Sequence, residues 1–422
     1  MTAAPPLRND CFALPPGVDW VPMATALDRL RARVTPVTGT ETVPLGPEAA
    51  GRFLAAPVAA LRDSPPAANS AIDGYALRGP VPEGLADLPL ADGRAAAGVP
   101  FAGAVPPGHA LRILTGAILP EGADTVVLQE DVAEADGRIA FHGPLKAGAN
   151  TRRRAEDVAA GAALLPEGRR LTPGDIGLLA SVGVASVHVR ARLRVGVLST
   201  GDEVVPPGAC APEAMGPGAI YDANRPMLLA QVGLWGHRAV DLGHAPDARA
   251  GLRATLDAAM GQIDAILTTG GVSTGDEDHV SALLRAEGRI DTWRIAIKPG
   301  RPLALGLWRG VPVFGLPGNP VAALVCTLLF ARPALRRLAG GDWAEPRALT
   351  VPAAFAKAKK PGRAEYLRAR LDAEGRAEVF PSEGSGRVSG LSWAEGLVAL
   401  DDGPRAIEPG DPVRFLPFSS FD

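Results

Sequence analysis

Three glycine-rich loops in the second half of the chain constrain its fold and chemistry more than any other feature. They are Thr268–Asp278, Lys298–Pro302 and Gly315–Pro320. The first and third follow the apolar runs Ile263–Leu267 and Val311–Phe314, which predict buried strands. Glycine lets a backbone turn sharply or approach a ligand closely. Because the loops also combine two cations with three carboxylates, they predict a site for a phosphate-bearing, nucleotide-like ligand with a divalent metal.

Length, charge and cysteine usage exclude several classes of protein. A chain of 422 residues is too long for a single core and predicts about two to four domains. A net charge of -3 gives no indication of a nucleic-acid-binding surface. The three cysteines, Cys11, Cys210 and Cys326, are far apart and odd in number, so neither a disulfide framework nor a zinc cluster is expected.

The sequence also gives no indication of a membrane protein. Its first residues lack the basic and apolar regions of a secretory signal. The longest apolar stretch, Val321–Phe330, is far too short to span a bilayer. We therefore expect a cytoplasmic protein.

Residues 191–340 alternate between apolar runs and amphipathic segments. This alternation predicts a three-layer, doubly wound α/β domain whose mostly parallel sheet is covered by helices on both faces. In such a sheet, ligands bind where the carboxyl ends of strands meet the amino ends of helices. The predicted elements are strands at Arg194–Leu198, Ile263–Leu267 and Val311–Phe314, and helices at Arg225–Leu234, Asp247–Met260, Asp278–Glu287 and from Val321 onward.

The remaining segments predict an α/β multidomain protein with three further domains. Short strands and turns between 61 and 157 predict an inserted β-rich domain, and short strands from 341 to 422 predict a C-terminal β-barrel domain. Residues 15–60 and 158–190 together predict an N-terminal mixed α/β domain, which includes a helix at Met23–Val34.

Local signals predict several element ends. Asn319 and Pro320 are suited to the N-cap and the first position of the helix that starts at Val321. Pro333 predicts that this helix kinks or ends there. Asp92-Gly93 and Asp136-Gly137 predict turns between short strands.

The loops of the α/β region can be weighed against simpler interpretations. Glycines that only close tight turns would explain part of Thr268–Asp278, but such turns do not need four hydroxyl-bearing residues and three acids. Ser199–Glu203 repeats this composition after another strand. Lys298 and Arg301 predict a clamp for phosphate or another oxyanion, and a solvated basic turn is the alternative.

Motifs in the inserted region are weaker when taken alone. Asp73-Gly74 and Thr115-Gly116 are compatible with plain turns, and the charged run Arg152–Asp157 with a solvated surface. The histidines are scattered, so no nucleophile–base grouping is predicted.

Taken together and in order, these segments resemble the molybdopterin molybdenumtransferases, the bacterial molybdenum-insertion enzymes related to the E domain of gephyrin. The resemblance covers nearly the whole chain after about residue 15. Any one segment could match by chance, but the ordered set is specific. The matching segments are Asn69–Ala76, Thr115–Asp124, Arg152–Asp157, Ser199–Glu203, Ile220–Arg225, Thr268–Asp278, Ile297–Pro302 and Gly315–Pro320.

The resemblance implies an elongated homodimer with four domains in each subunit, in which the inserted domain of one subunit faces the α/β domain of the other. The implied reaction converts adenylylated molybdopterin and molybdate into molybdenum cofactor and AMP with Mg²⁺. The implied partners are a molybdopterin adenylyltransferase and molybdoenzyme maturation proteins. Cations and amides would offset the repulsion between molybdate and the anionic phosphoanhydride.

The resemblance also implies roles for individual residues. Oxyanion binding falls to Lys298, Arg301, Arg363 and Ser389. Positioning of metal and substrate falls to Glu203, Asp247 and Asp278, with Glu203 and Asp278 as the metal ligands. The pterin phosphate contacts fall to Gly270, Gly271, Ser273, Gly275, Pro317, Gly318, Asn319 and Pro320, and further substrate contacts fall to Thr200, Gly201 and Asp222. The residues that reach across from the other subunit are Asp73, Thr115, Arg152 and Asp157.

Four features depart from the family pattern. Arg301 stands where many members carry lysine, Ala155 where glycine is common, and Ala322 where serine is often found. The Pro206–Gly218 segment is longer and richer in proline and glycine than usual. These changes bear on oxyanion affinity and selectivity, while the charged catalytic candidates are retained.

Two other functions stay open. The α/β domain alone would suit an adenylyltransferase that uses MgATP on molybdopterin, although the other domains carry matching motifs of their own. A scaffold that kept the fold and lost the reaction is the second, as gephyrin's E domain shows for receptor binding; the intact acids and cations argue against it. A nicotinamide dehydrogenase is disfavoured because no GxGxxG follows a strand with an acid at the required distance.

Overall fold

A computed structural model describes residues 20–246, 248–270, 279–300 and 302–422. The chain forms two compact units. The inserted unit is Thr42–Val189, and the main unit is Met1–Glu41 with Arg190–Asp422. None of the helices in the described ranges combines the length and the apolar character needed to cross a membrane.

The helices follow the predicted order closely. Those of the described residues are α1 Met23–Arg33, α2 Pro173–Ser181, α3 Asn224–Leu234, α4 Arg249–Ala259, α5 His279–Glu287, α6 Pro320–Cys326, α7 Arg332–Leu338 and α8 Ser389–Trp393, with short 3₁₀ turns at Gln129–Asp131, Pro212–Ala214 and Phe418–Phe421.

The strands are more numerous than predicted. They are β1 Thr40–Pro44, β2 Val58–Ala59, β3 Asn69–Ser70, β4 Gly74–Leu77, β5 Val81–Ala95, β6 Ala110–Ile113, β7 Thr125–Leu128, β8 Ala133–Ala135, β9 Arg138–Leu145, β10 Thr151–Arg152, β11 Ala163–Leu165, β12 Ser186–Arg190, β13 Arg194–Thr200, β14 Val204–Val205, β15 Ile220–Tyr221, β16 Arg238–Ala245, β17 Ala265–Thr269, β18 Arg289–Arg294, β19 Ile297–Lys298, β20 Pro302–Trp308, β21 Val311–Leu316, β22 Leu349–Pro352, β23 Lys357–Lys359, β24 Ala364–Leu371, β25 Ala377–Val379, β26 Gly396–Leu400, β27 Arg405–Ile407 and β28 Pro412–Pro417.

The main unit contains the predicted α/β sheet. Its strand order is β16-β13-β17-β21-β20-β18, and the first four strands are parallel. The strands β20 and β18 run antiparallel to their neighbours and complete one edge. The fold class is therefore confirmed, with an antiparallel edge that the sequence pattern did not predict.

Helices on the sheet explain why its inner strands are continuous apolar runs. Every residue of β17 is buried. Leu252 and Leu256 of α4 and Leu283 of α5 pack with Ile266 in one core cluster. Burial of a side chain of this size contributes about 1.5–3 kcal/mol.

The helix after β21 departs from the sequence prediction at Pro333. It continues past this residue, because a π-helical segment at Thr327–Ala331 joins α6 to α7. A wider turn moves the preceding carbonyls away from the proline ring, which removes the clash that ends regular helices. Pro320 lies at the helix start as predicted, but the side chain of Asn319 makes no capping hydrogen bond.

The inserted unit is built on the six-stranded sheet β7-β4-β6-β5-β9-β8. The predicted turn at Asp92-Gly93 is wrong, because both residues lie inside the 15-residue strand β5. The pairing of β5 with β6 changes register between Leu90 and Arg94, which is the mark of a β-bulge. Gly93 lies within this bulge with a φ of 100°, a conformation that favours glycine. Asp136-Gly137 does form the predicted turn, between β8 and β9.

The C-terminal part of the main unit is a half-barrel. Its strand path is β19-β24-β26-β28-β22, and β25 pairs with β24. Leu367, Val398 and Phe415 lie in its buried core. The short strands predicted between 341 and 422 are therefore present, and β19 of the preceding region joins their sheet.

Candidate functional site

The carboxyl ends of three adjacent parallel strands form one edge of the α/β sheet. These ends are Thr200, Thr269 and Leu316 of β13, β17 and β21. Gly270 follows with a φ of 87°, and a Cβ atom there would lie 2.7 Å from the carbonyl oxygen of Thr200. Only glycine fits this approach. The chain is therefore built to bring two strand-end loops into contact.

Gly201 makes a similar turn after β13. Its φ is 126°, and an added Cβ would lie 2.6 Å from Oε2 of Glu203. The Nε2 atom of His244 donates to the carbonyl of Gly201 at 2.8 Å. The Glu203 side chain is exposed at this turn, where a hard oxygen ligand would be accessible.

The Gly315–Pro320 turn is held against the start of α3. Nδ2 of Asn224 donates to the carbonyl of Gly318 at 2.6 Å, and an added Cβ at Gly318 would lie 3.8 Å from Cα of Gly270. Pro317 is buried, whereas Gly318 and Asn319 are exposed. Asn224 was missed as a site residue, although it lies in a motif that the sequence singled out.

Asp222 is buried in a structural network. Its Oδ1 accepts from the backbone N–H groups of Asn224 at 3.1 Å and of Arg225 at 3.0 Å, and its Oδ2 accepts from Nε of Arg225 at 3.1 Å. Burial raises the pKa of Asp222, but the hydrogen bonds and charge of Arg225 outweigh that effect and leave the pKa below its usual value. These hydrogen bonds hold Asp222 at the start of α3, which it orients.

Lys298 lines a cavity of about 210 Å³ together with Lys357, Arg368 and Glu383. The Nζ atom of Lys298 pairs with Glu383 and lies 3.8 Å from Oε1 of Glu365. Lys357 contacts the same two carboxylates, at 3.1 Å from Oε2 of Glu365. We call Lys298, Lys357, Glu365 and Glu383 the four-charge ring.

The other two predicted oxyanion ligands of the C-terminal region lie elsewhere in the main unit. The guanidinium of Arg363 lies 5.9 Å from the ring centroid of Trp20, and Arg363 does not line the Lys298 cavity. Ser389 is exposed at the start of the short helix α8. The arginine that lines the cavity is Arg368, which the sequence did not single out.

In the inserted unit, Asp73 and Thr115 are in direct contact. Oδ1 of Asp73 accepts from the backbone N–H of Thr115 at 2.6 Å and from its hydroxyl at 2.7 Å. These hydrogen bonds lower the pKa of Asp73. Arg152 and Asp157 of the same unit are exposed. Arg152 is the strand-pairing partner of Asn69, and the backbone N–H of Asp157 donates to the carbonyl of Ser64.

Six predicted site residues lie outside the described residues. They are Asp247, Gly271, Ser273, Gly275, Asp278 and Arg301. Within the described ranges, no three His, Cys, Asp or Glu side chains converge as a metal site. Glu203 is the predicted metal ligand that those ranges contain, and its carboxylate suits Mg²⁺, which is usually held by one or two carboxylates with substrate phosphates and water.

Three family models match successive parts of the chain. Residues 21–183 match "MoeA N-terminal region (domain I and II)", residues 196–337 match "Probable molybdopterin binding domain", and residues 350–418 match "MoeA C-terminal region (domain IV)". The order of the three matches is that of the segments described above.

Curated relatives and solved structures agree with these matches. A molybdopterin molybdenumtransferase of Haemophilus influenzae is 37% identical over 88% of this chain and 92% of its own. One from Synechococcus elongatus is 35% identical over 93% of this chain and 98% of its own. The crystal structure of the molybdopterin biosynthesis moeA protein of Pyrococcus horikoshii OT3 is similar with a TM-score of 0.80 at 27% identity, covering 94% of this chain and all of that one. The chain belongs to the molybdopterin molybdenumtransferase family.

Proposed function

We propose that this chain inserts molybdenum from molybdate into adenylylated molybdopterin, releasing AMP and molybdenum cofactor. The observation that carries the proposal is the convergence of family-matching loops at one sheet edge. There, Gly270 approaches Thr200, and Asn224 holds Gly318. The names of the relatives described above give independent support.

The chemistry requires two anions to be brought together. Molybdate must approach the dithiolene sulfurs of a molecule that also carries a phosphoanhydride. Two Mo–S bonds form as one molybdate oxygen leaves as water with the two thiol protons, and the anhydride bond to AMP breaks by addition of water. Exposed backbone at Gly318 and Asn319 offers amide dipoles for the phosphate groups. The ammonium of Lys298 offsets oxyanion charge within the cavity. These groups bind and orient the two substrates so that the reaction of the dithiolene sulfurs with molybdate is effectively intramolecular.

We propose Glu203 and Asp278 as the ligands of Mg²⁺. When bound, the ion would supply a Lewis acid for the phosphoryl oxygens. Within the described residues, the exposed Glu203 carboxylate beside Gly201 is the group that would hold it.

The test is molybdenum insertion by the purified full-length chain. Adenylylated molybdopterin and molybdate are supplied, and product is measured as AMP release and as reactivation of an apo-molybdoenzyme. We expect Asp73→Ala and Lys298→Ala to lower the rate by about 100-fold or more. Arg138→Ala, which removes an exposed ion pair with Asp87, is the control and should retain activity. Full activity in both site variants would refute these assignments.

Two further arms of that experiment address the alternatives. Adenylylated molybdopterin that accumulates from molybdopterin and MgATP without molybdate would favour an adenylyltransferase. Binding of substrate without any transfer would favour a scaffold. Our proposal predicts neither result. It implies two kinds of partner: a separate adenylyltransferase, which supplies the substrate, and maturation proteins, which accept the product.

We also propose a homodimer in which Asp73, Thr115, Arg152 and Asp157 of one subunit act on the substrate of the other. The support is the family resemblance of these segments. Coexpression of Asp73→Ala and Lys298→Ala chains tests it, because a mixed dimer would retain one intact site. Random pairing should then restore about one quarter of the wild-type activity. Sites contained within single subunits would give no restoration.

A further inference from the structure

The loop at 382–386 carries acceptor groups into the Lys298 cavity. The carboxylate of Glu383 contacts Lys298 and Lys357. The carbonyl of Ser385 accepts from the backbone N–H of Val321 at 3.0 Å, in the first turn of α6. Two acceptors of one short loop are therefore paired: the Glu383 carboxylate with the lysine ammonium groups, and the Ser385 carbonyl with the backbone N–H of Val321.

The same loop is bound from its other side by Arg368. This buried guanidinium donates to the carbonyl of Ser382 and, at 3.2 Å, to that of Gly384. Ammonium, guanidinium and helix N–H groups are the donors that proteins use for tetrahedral oxyanions. Within the cavity, the Glu383 carboxylate thus occupies the ammonium of Lys298, the group to which the proposed function assigns the oxyanion.

The two carboxylates of the four-charge ring differ in how easily each can break its ion pairs with the lysines. The Glu365 side chain is 10% exposed and projects from strand β24, whereas the Glu383 side chain is 44% exposed on a loop. Glu383 can therefore exchange its ion pairs for water at low cost, and Glu365 cannot. If Glu383 leaves, the two lysines keep a single carboxylate between them and the ring gains one positive charge.

Glu383 is an anion under ordinary conditions. Burial raises its pKa, but the ion pairs with Lys298 and Lys357 outweigh burial and leave the pKa below its usual value. The charged groups near it in the described residues are these two lysines, Glu365 and the guanidinium of Arg368, which lines the same cavity.

We propose that Glu383 sets the oxyanion affinity of the site, because its carboxylate competes with the substrate oxyanion for Lys298 and is displaced when the oxyanion binds. This inference rests on the proposed function, which places the oxyanion at Lys298. Displacement of a competitor lowers the affinity for every oxyanion by the same factor, whatever its charge. Repulsion from a carboxylate that stays in place would instead weaken a dianion more than a monoanion.

The experiment measures binding of molybdate and of perrhenate, a tetrahedral monoanion, to the full-length chain by titration calorimetry. We expect Glu383→Gln to tighten both dissociation constants by about fivefold, the equivalent of a partly exposed ion pair. In turnover, KM for molybdate should fall by the same factor, while kcat stays unchanged. Glu378→Gln is the matched control, because Glu378 is 43% exposed and ion-paired with Arg370 in the same domain.

The outcomes separate this inference from the proposed function. If Lys298→Ala abolishes binding while Glu383→Gln binds as the wild type does, the role of Glu383 is wrong and the site stands. A gain confined to molybdate, or a fall in kcat without a change in KM, also overturns it. If Lys298→Ala binds molybdate as tightly as the wild type, the oxyanion lies elsewhere and both proposals lose their support.

Discussion

The side-chain amide of Asn224 donates a 2.6 Å hydrogen bond to the carbonyl of Gly318, which joins the first turn of α3 to the loop after β21. Asn224 is buried, and its Oδ1 atom has no hydrogen-bond partner within the described residues. The hydrogen bond to Gly318 therefore links the position of the turn to the integrity of α3.

Asn224→Ala should loosen the Gly315–Pro320 turn. We expect a rise of about tenfold in KM for adenylylated molybdopterin and a loss of about 1 kcal/mol in the free energy of unfolding. Steady-state kinetics and urea denaturation check the two effects. Leu234→Ala, at the exposed end of the same helix, is the control and should change neither value. An unchanged KM in Asn224→Ala would show that the turn does not need this hydrogen bond.

Gly300 provides a second prediction. It has a φ of 94°, and an added Cβ atom would lie 2.8 Å from Sγ of Cys326. Gly300→Ala should therefore shift the loop that carries Lys298, with a backbone strain of about 1–2 kcal/mol in addition to the clash. We expect molybdate affinity to fall by about tenfold or more in calorimetric titrations.

The double variant Gly300→Ala, Cys326→Ala separates the two causes. It removes the clash and keeps the strain, so affinity should recover in part. No recovery would assign the whole effect to the backbone conformation.

Asp222 should contribute to the loss of stability of the chain at acid pH. Its folded-state pKa is lowered, so its contribution to stability is complete above the unfolded-state value of about 3.9 and is lost as the pH falls through the folded-state value. In Asp222→Asn, the free energy of unfolding should fall less steeply below about pH 4 than in the wild type, because this linkage is absent. Denaturant unfolding at a series of pH values measures the two slopes. Identical slopes would contradict the prediction.

Ala155 predicts a stabilising substitution. It adopts a φ of 57°, a conformation that costs a residue with a Cβ about 1–2 kcal/mol. Ala155→Gly should stabilise the chain by about 0.5 kcal/mol after the entropy gained by the unfolded state is subtracted. Chemical denaturation measures the change. Ala133→Gly, in the exposed strand β8, should destabilise instead; equal losses in both variants would contradict our interpretation.

The α/β domain could be predicted because each inner strand is buried on both faces. Such strands are short apolar runs that end in glycine, as Ala265–Thr269 and Gly270 illustrate. The strand-end loops and their glycines follow from this pattern. The antiparallel strand β18 could not be predicted, because Arg289–Arg294 reads as a polar segment and takes its structure from pairing with β20.

The cavity around Lys298 shows where prediction from the sequence ends. Lys298 stands out because it lies in a glycine-proline loop, whereas Lys357 belongs to a lysine-rich segment and Glu383 to a serine- and glycine-rich one, both of which resemble solvated surface. Their proximity arises only when β23 and the loop after β25 fold against the α/β domain. Arg368 was missed for a related reason, since β24 also carries Glu365 and Arg370 and the sequence gives no indication of which charged side chain lines the cavity.

The charges of Lys298, Lys357, Glu365 and Glu383 sum to zero, so the net positive charge of the cavity is the single charge of Arg368. An approaching dianion is therefore steered only weakly toward the cavity over the Debye length of about 8 Å at physiological ionic strength. The association rate constant for molybdate should then depend little on added salt, and capture depends on local exchange of partners after encounter rather than on attraction from a distance.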